Sequence, residues 1–336
     1  MNLRYMLKIA LLSMVVLTIA CLHSAEESST VEYSEHKLTV LATTPMLGDF
    51  VKQVAGQNIE VQTLMPYSVD PHTFEPSPKD VREINEAHLV FYIGLKYETN
   101  ALTKLLQNSV ESEHRLIEIG SKVNPIEFRN DDHDDHDDHG DEDDDDHGTL
   151  DPHFWFDPNR VALAVGEIKN ELIKLDPDNK DAYESAATSY IAELTALDAQ
   201  VEALIQTVPS NDRQIVTTHE SLGYLEARYG LNILVAIIPS ITSEDDVTPK
   251  QLVSVIEEVK EHKIKVIFLE TESPTKSSEI IAQETGVSLV SGLWVETLEE
   301  NQSYIDFLNT NVNLIVENLI KYGHDDDHGD EDMHEK

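Results

Sequence analysis

The stretch RQIVTTHESLGYLEARYGLNILVAII, residues 213–238, decides the fold class, because it combines a strand, a helix and a second strand. RQIVTTH is rich in β-branched residues and ends at His219, ESLGYLEARYG has the pattern of a helix, and LNILVAII is a continuous apolar run. Strands that alternate with helices in this way are typical of a parallel sheet covered by helices. The stretch therefore predicts a βαβ unit with His219 directly after its first strand.

The same alternation of strands and helices occurs on both sides of this unit. Residues 37–110 alternate in the same order, and Ser77 followed by Pro78 marks the start of one helix. Residues 180–208 have apolar positions at helical spacing, over a length of roughly 40 Å at 1.5 Å per residue. The sequence thus predicts an α/β fold in which two lobes lie around one long helix.

Charge limits the range of possible partners. The chain has 336 residues and a formal net charge of −40. Part of that charge is local, because residues 131–147 contain twelve acids and no Lys or Arg, and residues 324–336 contain seven acids and one Lys. A surface of this kind repels nucleic acid and anionic lipid, and it attracts cations.

The single cysteine, Cys21, follows a short basic region and an apolar run of twelve residues at 9–20. This pattern resembles a bacterial lipoprotein signal, in which the cysteine is lipidated after cleavage. The alternative is a plain secretory signal that is cut after Ala25. In either case we expect the mature protein to work outside the cytoplasmic membrane.

These boundaries give a complete domain division. It consists of a signal peptide at 1–21, a flexible tether at 22–36, a first α/β lobe at 37–175 that includes an acidic loop at 130–149, a linking helix at 176–208, a second α/β lobe at 209–323 and an acidic tail at 324–336.

Four short stretches lie where βα units usually place ligands, outside the carboxyl ends of strands. VDPHTFEPSPKD contains His72, LDPHFWFDPN contains His153, IVTTHESLGYL contains His219 and SGLWVETLEEN contains Glu296. Three imidazoles and one carboxylate are suited to a divalent transition metal, and imidazole suits zinc. Two ligands from each lobe predict a site at the interface of the lobes.

These motifs also resemble a known family. DPHTFEPSPKD, DPHFWFDP and THESLGYLEARYGL resemble the signature stretches of the zinc/manganese receptors of ABC importers, the cluster A-I solute-binding proteins, over about residues 37–322. The resemblance implies two Rossmann-like lobes joined by a long backbone helix, with one metal in the cleft between them. It also implies that His72, His153 and His219 are ligands, and that the protein delivers metal to a permease and its ATPase.

The resemblance bears on the metal as well. Manganese-type members usually have Glu at the third ligand position, so His219 resembles the zinc type, and we expect Zn²⁺ with Mn²⁺ as the alternative. The family's fourth ligand is an Asp, whereas the matching residue here is Glu296. Glu270, Glu272 or water are the alternatives for that position.

The acidic loop carries further histidines, which allow two interpretations. It is either disordered filler or a weak, multivalent metal collector near the cleft, and the collector is the preferred hypothesis. The tail repeats the pattern at His324, His328 and His334. The histidines of the loop are His133, His136, His139 and His147.

Two other classes of function compete with a monomeric zinc receptor. A zinc hydrolase would need a general base, but the sequence has no HExxH motif, and Glu220 is the closest candidate. A surface metal buffer or adhesin would use the histidine-rich segments instead of the cleft. Stoichiometry separates the second class from a receptor, because a buffer binds several ions weakly and equally.

Overall fold

Two parallel sheets organise the computed structural model, which describes residues 37–109, 115–128, 150–240, 247–272 and 276–323. All of these residues belong to one compact unit of the chain, Lys37–Lys336. The predictions for Cys21, the signal peptide and the tether lie outside the described residues. The same holds for the histidines of the acidic loop and of the tail, namely His133, His136, His139, His147, His324, His328 and His334.

The first sheet has strand order β2-β1-β3-β4, and all of its strand pairs are parallel. Helices connect the strands, as parallel pairing requires. The elements are β1 (Thr39–Ala42), α1 (Pro45–Ala55), β2 (Glu60–Thr63), α2 (Pro78–Glu86), β3 (Leu89–Tyr92), α3 (Asn100–Ser109) and β4 (Leu116–Glu118).

The second sheet repeats this architecture with strand order β6-β5-β7-β8, again with parallel pairs. Its elements are β5 (Gln214–His219), α6 (Gly223–Tyr229), β6 (Asn232–Ile238), α7 (Pro249–Glu261), β7 (Val266–Glu270), α8 (Lys276–Thr285), β8 (Ser288–Leu293) and α9 (Tyr304–Gly323). The labels α4 and α5 are given to two helices that follow the first sheet and precede the second along the sequence, and that are described in the next paragraph. The prediction of an α/β fold with two parallel sheets is confirmed.

A pair of helices connects the two sheets along the chain. Helix α4 (Pro158–Leu175) is followed by α5 (Lys180–Ile205), which has 26 residues and a length of about 39 Å at 1.5 Å per residue. The buried side of α5 includes Tyr183, Tyr190 and Leu197 at helical spacing. These side chains join the largest hydrophobic cluster, which contains residues of both sheets. The long helix is therefore part of a core that is continuous between the lobes.

Local signals in the sequence fix several helix starts. Ser77 and Asp80 form a capping box at the start of α2, in which the Asp80 carboxylate accepts a hydrogen bond from the Ser77 N–H at 2.6 Å. Asp157 caps α4 through a hydrogen bond from the Asn159 N–H at 2.9 Å. This second cap ends the segment DPHFWFDP, so the position of His153 is fixed relative to α4.

No described helix of the chain combines the length and the apolar character that are needed to cross a bilayer.

Candidate metal centre

His72 lies in a single 3₁₀ turn, Pro71–Thr73, that follows β2. The Asp70 carboxylate accepts a hydrogen bond from the His72 N–H at 2.9 Å, and Pro71 occupies the first position of the turn. This pair of restraints fixes the backbone of the loop, because Asp closes the turn and Pro holds φ. The side chain of His72 points inward, since the residue is 3% exposed.

His153 lies in the second Asp-Pro-His segment and is held by the same device. The Asp151 Oδ1 accepts a hydrogen bond from the His153 N–H at 2.8 Å and lies 2.8 Å from His153 Nδ1. A carboxylate on Nδ1 fixes the tautomer, so that Nε2 is the nitrogen available to a metal. Aromatic rings surround the imidazole, with ring centroids of Trp155 and Tyr97 at 5.4 and 6.2 Å.

His219 is the last residue of β5, and Glu270 is the last residue of the adjacent strand β7. The Glu270 carboxylate forms a short hydrogen bond with His219 Nδ1 and accepts one from the His219 N–H at 3.2 Å. Ser221 Oγ also donates to this carboxylate, at 3.2 Å. Glu270 therefore orients His219, as Asp151 orients His153, and leaves His219 Nε2 directed toward the centre.

Glu296 follows β8 and forms a cluster with His72, His153 and His219. Its Oε1 lies 2.8 Å from His219 Nε2 and 3.2 Å from His153 Nε2, and its Oε2 lies 3.6 Å from His72 Nε2. One potential ligand atom from each of these four residues lies within 4.8 Å of the other three. The structure thus brings together all four residues that the sequence singled out.

Three buried atoms in this cluster make no hydrogen bond of good geometry, although each lies 2.8 to 3.6 Å from an atom of another member of the cluster. They are His72 Nε2, His219 Nε2 and Glu296 Oε2. A buried polar atom without a partner costs on the order of 1–3 kcal/mol, so an arrangement with several such atoms needs an explanation. A cation among them supplies it, because each atom can offer a lone pair to a metal once its side chain has lost its proton.

Electrostatics in the cluster favour ionised groups. Burial alone would lower the pKa of His153, but the charges of Glu296 and Asp151 outweigh burial and raise that pKa to about 9. Burial likewise opposes the charge of His219, whose pKa is nevertheless raised well above its ordinary value by Glu270 and Glu296. Burial would raise the pKa of Glu296, whereas the nearby histidines hold it well below its ordinary value. A metal cation would replace the protons that these imidazoles otherwise hold.

The alternative carboxylates lie elsewhere. Glu270 binds the far side of His219, and the Glu272 Oε1 accepts hydrogen bonds from the Val295 and Glu296 N–H groups at 3.2 Å. Burial and the charge of Glu296 raise the pKa of Glu272 to about 8. Among the described residues, the group that can hold a metal includes Glu296 and neither alternative.

Aromatic side chains connect the two lobes around the cluster. The Tyr97 OH donates to the Glu296 carbonyl at 2.9 Å, and Trp155 Nε1 donates to the Val295 carbonyl at 2.9 Å. The Tyr304 OH donates to the Trp155 carbonyl at 2.7 Å. The sequence alone did not indicate these contacts, nor the roles of Asp151 and Glu270. The repetition of Asp before Pro-His was a usable signal for Asp151, whereas nothing local indicated Tyr97.

The fold and the cluster together define a class of protein, two-lobed α/β proteins with a buried group of potential metal ligands between the lobes. The sequence profile of the family described as zinc-uptake complex component A, periplasmic (ZnuA), matches residues 40–318, and the chain belongs to this family. It is therefore a substrate-binding protein of a metal ABC transporter and not an enzyme. The family resemblance that the motifs indicated is confirmed.

Curated relatives match the chain over most of its length. The metal ABC transporter substrate-binding lipoprotein SsaB of Streptococcus sanguinis is 28% identical over 326 residues, which cover 94% of this chain and 100% of that protein. The manganese ABC transporter substrate-binding lipoprotein scaA of Streptococcus gordonii is 30% identical over 308 residues, which cover 89% of this chain and 94% of that protein.

Solved structures share the fold. The periplasmic zinc binding protein TroA from Treponema pallidum matches with a TM-score of 0.73 at 22% identity, covering 84% of this chain and 99% of that one. A manganese-bound periplasmic metal binding protein from Candidatus Liberibacter asiaticus matches with a TM-score of 0.72 at 25% identity, covering 84% of this chain and 100% of that one. The names of these proteins include both zinc and manganese, so they do not decide which metal this chain binds.

Proposed function

We propose that the protein is an extracytoplasmic Zn²⁺ receptor, with His72, His153, His219 and Glu296 as the metal ligands. The observation that carries this proposal is the third imidazole, His219, which Glu270 holds with Nε2 toward the cluster. Three nitrogen donors suit zinc, whereas manganese prefers oxygen donors. Four protein ligands would also fill a tetrahedral zinc site, which favours binding and release over hydrolysis at an open position.

Delivery of the metal requires membrane partners. We infer that the receptor transfers Zn²⁺ to a permease energised by an ATPase, and that it is held at the membrane as a monomer through a lipid on Cys21. The apolar run before Cys21 supports the anchor, as do the relatives that are named lipoproteins. The strongly acidic chain argues against a role in nucleic-acid binding.

Metal preference is tested by the ratio of two affinities. Most nitrogen and oxygen sites bind zinc more tightly than manganese, so tight zinc binding alone does not identify the cargo. We expect His219→Glu to lower the zinc-to-manganese affinity ratio by about tenfold or more, because it replaces a nitrogen donor by an oxygen donor. Competitive titration of residues 22–336 with both ions measures this ratio.

Two further variants make the test of metal preference specific. His219→Gln removes the imidazole without adding a charge. It should therefore weaken the binding of both ions and change the zinc-to-manganese affinity ratio less than His219→Glu does. The double variant His219→Glu, Glu270→Gln removes the like charge that Glu270 would present to the new carboxylate. An unchanged ratio in both glutamate variants would contradict the assignment of His219 as the ligand that selects zinc.

The acidic loop is proposed to collect metal weakly beside the tight site. We expect deletion of residues 130–149 to leave one tight zinc site and to remove several weak ones. The ends of the deletion are close, because Glu127 and Leu150 form an antiparallel bridge and the Asp151 N–H donates to the Ile126 carbonyl at 3.0 Å. A short Gly-Ser connection can therefore close the gap without strain.

Stoichiometry by equilibrium dialysis and affinity by chelator competition check this prediction. Loss of the tight site on deletion would show that the histidines of the loop, and not the cluster, bind the cargo. That result would favour the alternative function, a surface metal buffer.

A further inference from the structure

Tyr224 in helix α6 contacts two segments of the first lobe through one oxygen atom. Its OH donates to the Asp151 carbonyl at 2.7 Å and accepts from the Ile126 N–H at 3.3 Å. The side chain is buried, with 1% exposure. Because Asp151 and Ile126 are also hydrogen-bonded to each other, the phenol oxygen fixes both segments at the point where they pair.

Asp151 is also the residue that orients His153. Its carboxylate binds both the N–H and the Nδ1 of His153 at 2.8 Å. A shift of Asp151 would therefore rotate the imidazole. Helix α6 touches Asp151 at a second point, since a β-carbon at Gly223 would lie 2.9 Å from Asp151 Oδ2. The start of the helix is thus fitted closely against this residue.

The ring of Tyr224 is itself held in place. The Arg160 guanidinium lies over the ring at 5.0 Å from the centroid, a distance at which a cation and an aromatic face attract. Arg160 in turn binds the Asp157 carboxylate at 2.6 Å. Asp157 caps α4, so Tyr224 is fixed against the rigid end of that helix.

We propose that Tyr224 is a positioning residue for the metal site and acts through Asp151 on His153. The inference rests on the proposed function, because it assumes that His153 is a ligand. Tyr224 belongs to the helix that follows His219, so one side chain of the second lobe sets the geometry of a ligand from the first. The hydrogen bond between Tyr224 and Asp151 thereby places the imidazoles of His153 and His219 relative to each other without a metal.

The test is Tyr224→Phe, which keeps the ring and removes the OH. We expect zinc affinity to fall by about tenfold, the lower end of the usual effect of residues that support a ligand. Tyr229→Phe is the matched control. Tyr229 lies in the same helix, is 3% exposed and donates its OH to Asp198 Oδ1 at 2.9 Å. It should reduce thermal stability in a similar way and leave zinc affinity unchanged.

Replacement of zinc by Co²⁺ gives an absorption spectrum that a general loss of stability does not change. The visible absorption of Co²⁺ depends on the geometry of its ligands, so it should change in Tyr224→Phe and stay as in the wild type in Tyr229→Phe. Equal effects of the two substitutions on affinity and on the spectrum would overturn the proposal.

A double variant tests the route through Asp151. In an Asp151→Ala background the carboxylate that orients His153 is absent, so adding Tyr224→Phe should change affinity less than about twofold. Full additivity would overturn the route through Asp151. A wild-type protein without a tight zinc site would overturn the proposed function together with this inference, whereas a tight site that Tyr224→Phe leaves unchanged would overturn the inference alone.

Discussion

Replacement of His153 by alanine is expected to weaken zinc binding by a factor on the order of 100 or more. Structural zinc sites in small peptides contribute roughly 10–16 kcal/mol in total, so one of four ligands corresponds to about 3 kcal/mol, or roughly 100-fold. The substitution also leaves the buried carboxylates of Asp151 and Glu296 without the imidazole between them. Competition against a chelating dye measures the loss.

His262→Ala is the control for the His153→Ala prediction. His262 is exposed at the end of α7, where its Nε2 lies 3.3 Å from Glu258, and it does not belong to the cluster. We expect its removal to leave the tight site unchanged. A loss below about fivefold in His153→Ala, with the fold intact by circular dichroism, would exclude His153 as a ligand.

Zinc affinity is expected to rise steeply with pH, by roughly 10- to 100-fold per unit between pH 6.5 and 9. In the metal-free protein the pKa of His153 is about 9 and that of His219 is also raised, so both imidazoles hold protons at neutral pH. Zinc must displace these protons. Glu296 contributes no proton, because its pKa is held well below the ordinary value.

Calorimetry in buffers of different ionisation enthalpy counts the protons that zinc releases. We expect about one to two protons per ion near neutral pH. An affinity that changes by less than about threefold between pH 6.5 and 8.5 would contradict the proton competition.

The same protons act on the stability of the metal-free protein in the opposite direction. Because the folded-state pKa of His153 is raised from 6.5 to about 9, its protonation stabilises the fold fully below pH 6.5. This contribution is lost as the pH rises through 9. Zinc-bound protein has no such proton to lose. The difference in Tm between the zinc-bound and metal-free forms should therefore widen over this range, as scanning calorimetry would show.

Much of the architecture was predictable because its signals are local. Strands of β-branched residues, helical spacing along α5 and the Ser77-Pro78 start of α2 are each encoded within a few neighbouring residues. Strand β4 was not predicted, because its three residues are too few to show a pattern. It pairs at the edge of the first sheet, where β3 supplies the hydrogen bonds that define it.

The sequence indicated where the candidate ligands lie but not which groups orient them, and both outcomes have the same physical reason. His72, His153 and His219 follow strands or stiff Asp-Pro turns, so the sequence indicated where they lie in the fold. The groups that aim them were missed, because Glu270 meets His219 only through strand pairing. Tyr97 likewise reaches the Glu296 carbonyl from a distant part of the chain. Such contacts depend on packing between residues that are far apart in the sequence, so no periodic pattern in the sequence indicates them.

Burial of the cluster has a consequence for the timing of metal exchange. The four side chains His72, His153, His219 and Glu296 are at most 3% exposed, so a solvent chelator cannot touch an ion held among them. Dissociation then becomes a first-order process whose rate cannot exceed the frequency with which the surrounding chain opens, and it does not depend on the concentration of a chelator that captures only released ions. A receptor built in this way retains its cargo for a residence time set by protein motion, and a partner that distorts the lobes can shorten that time.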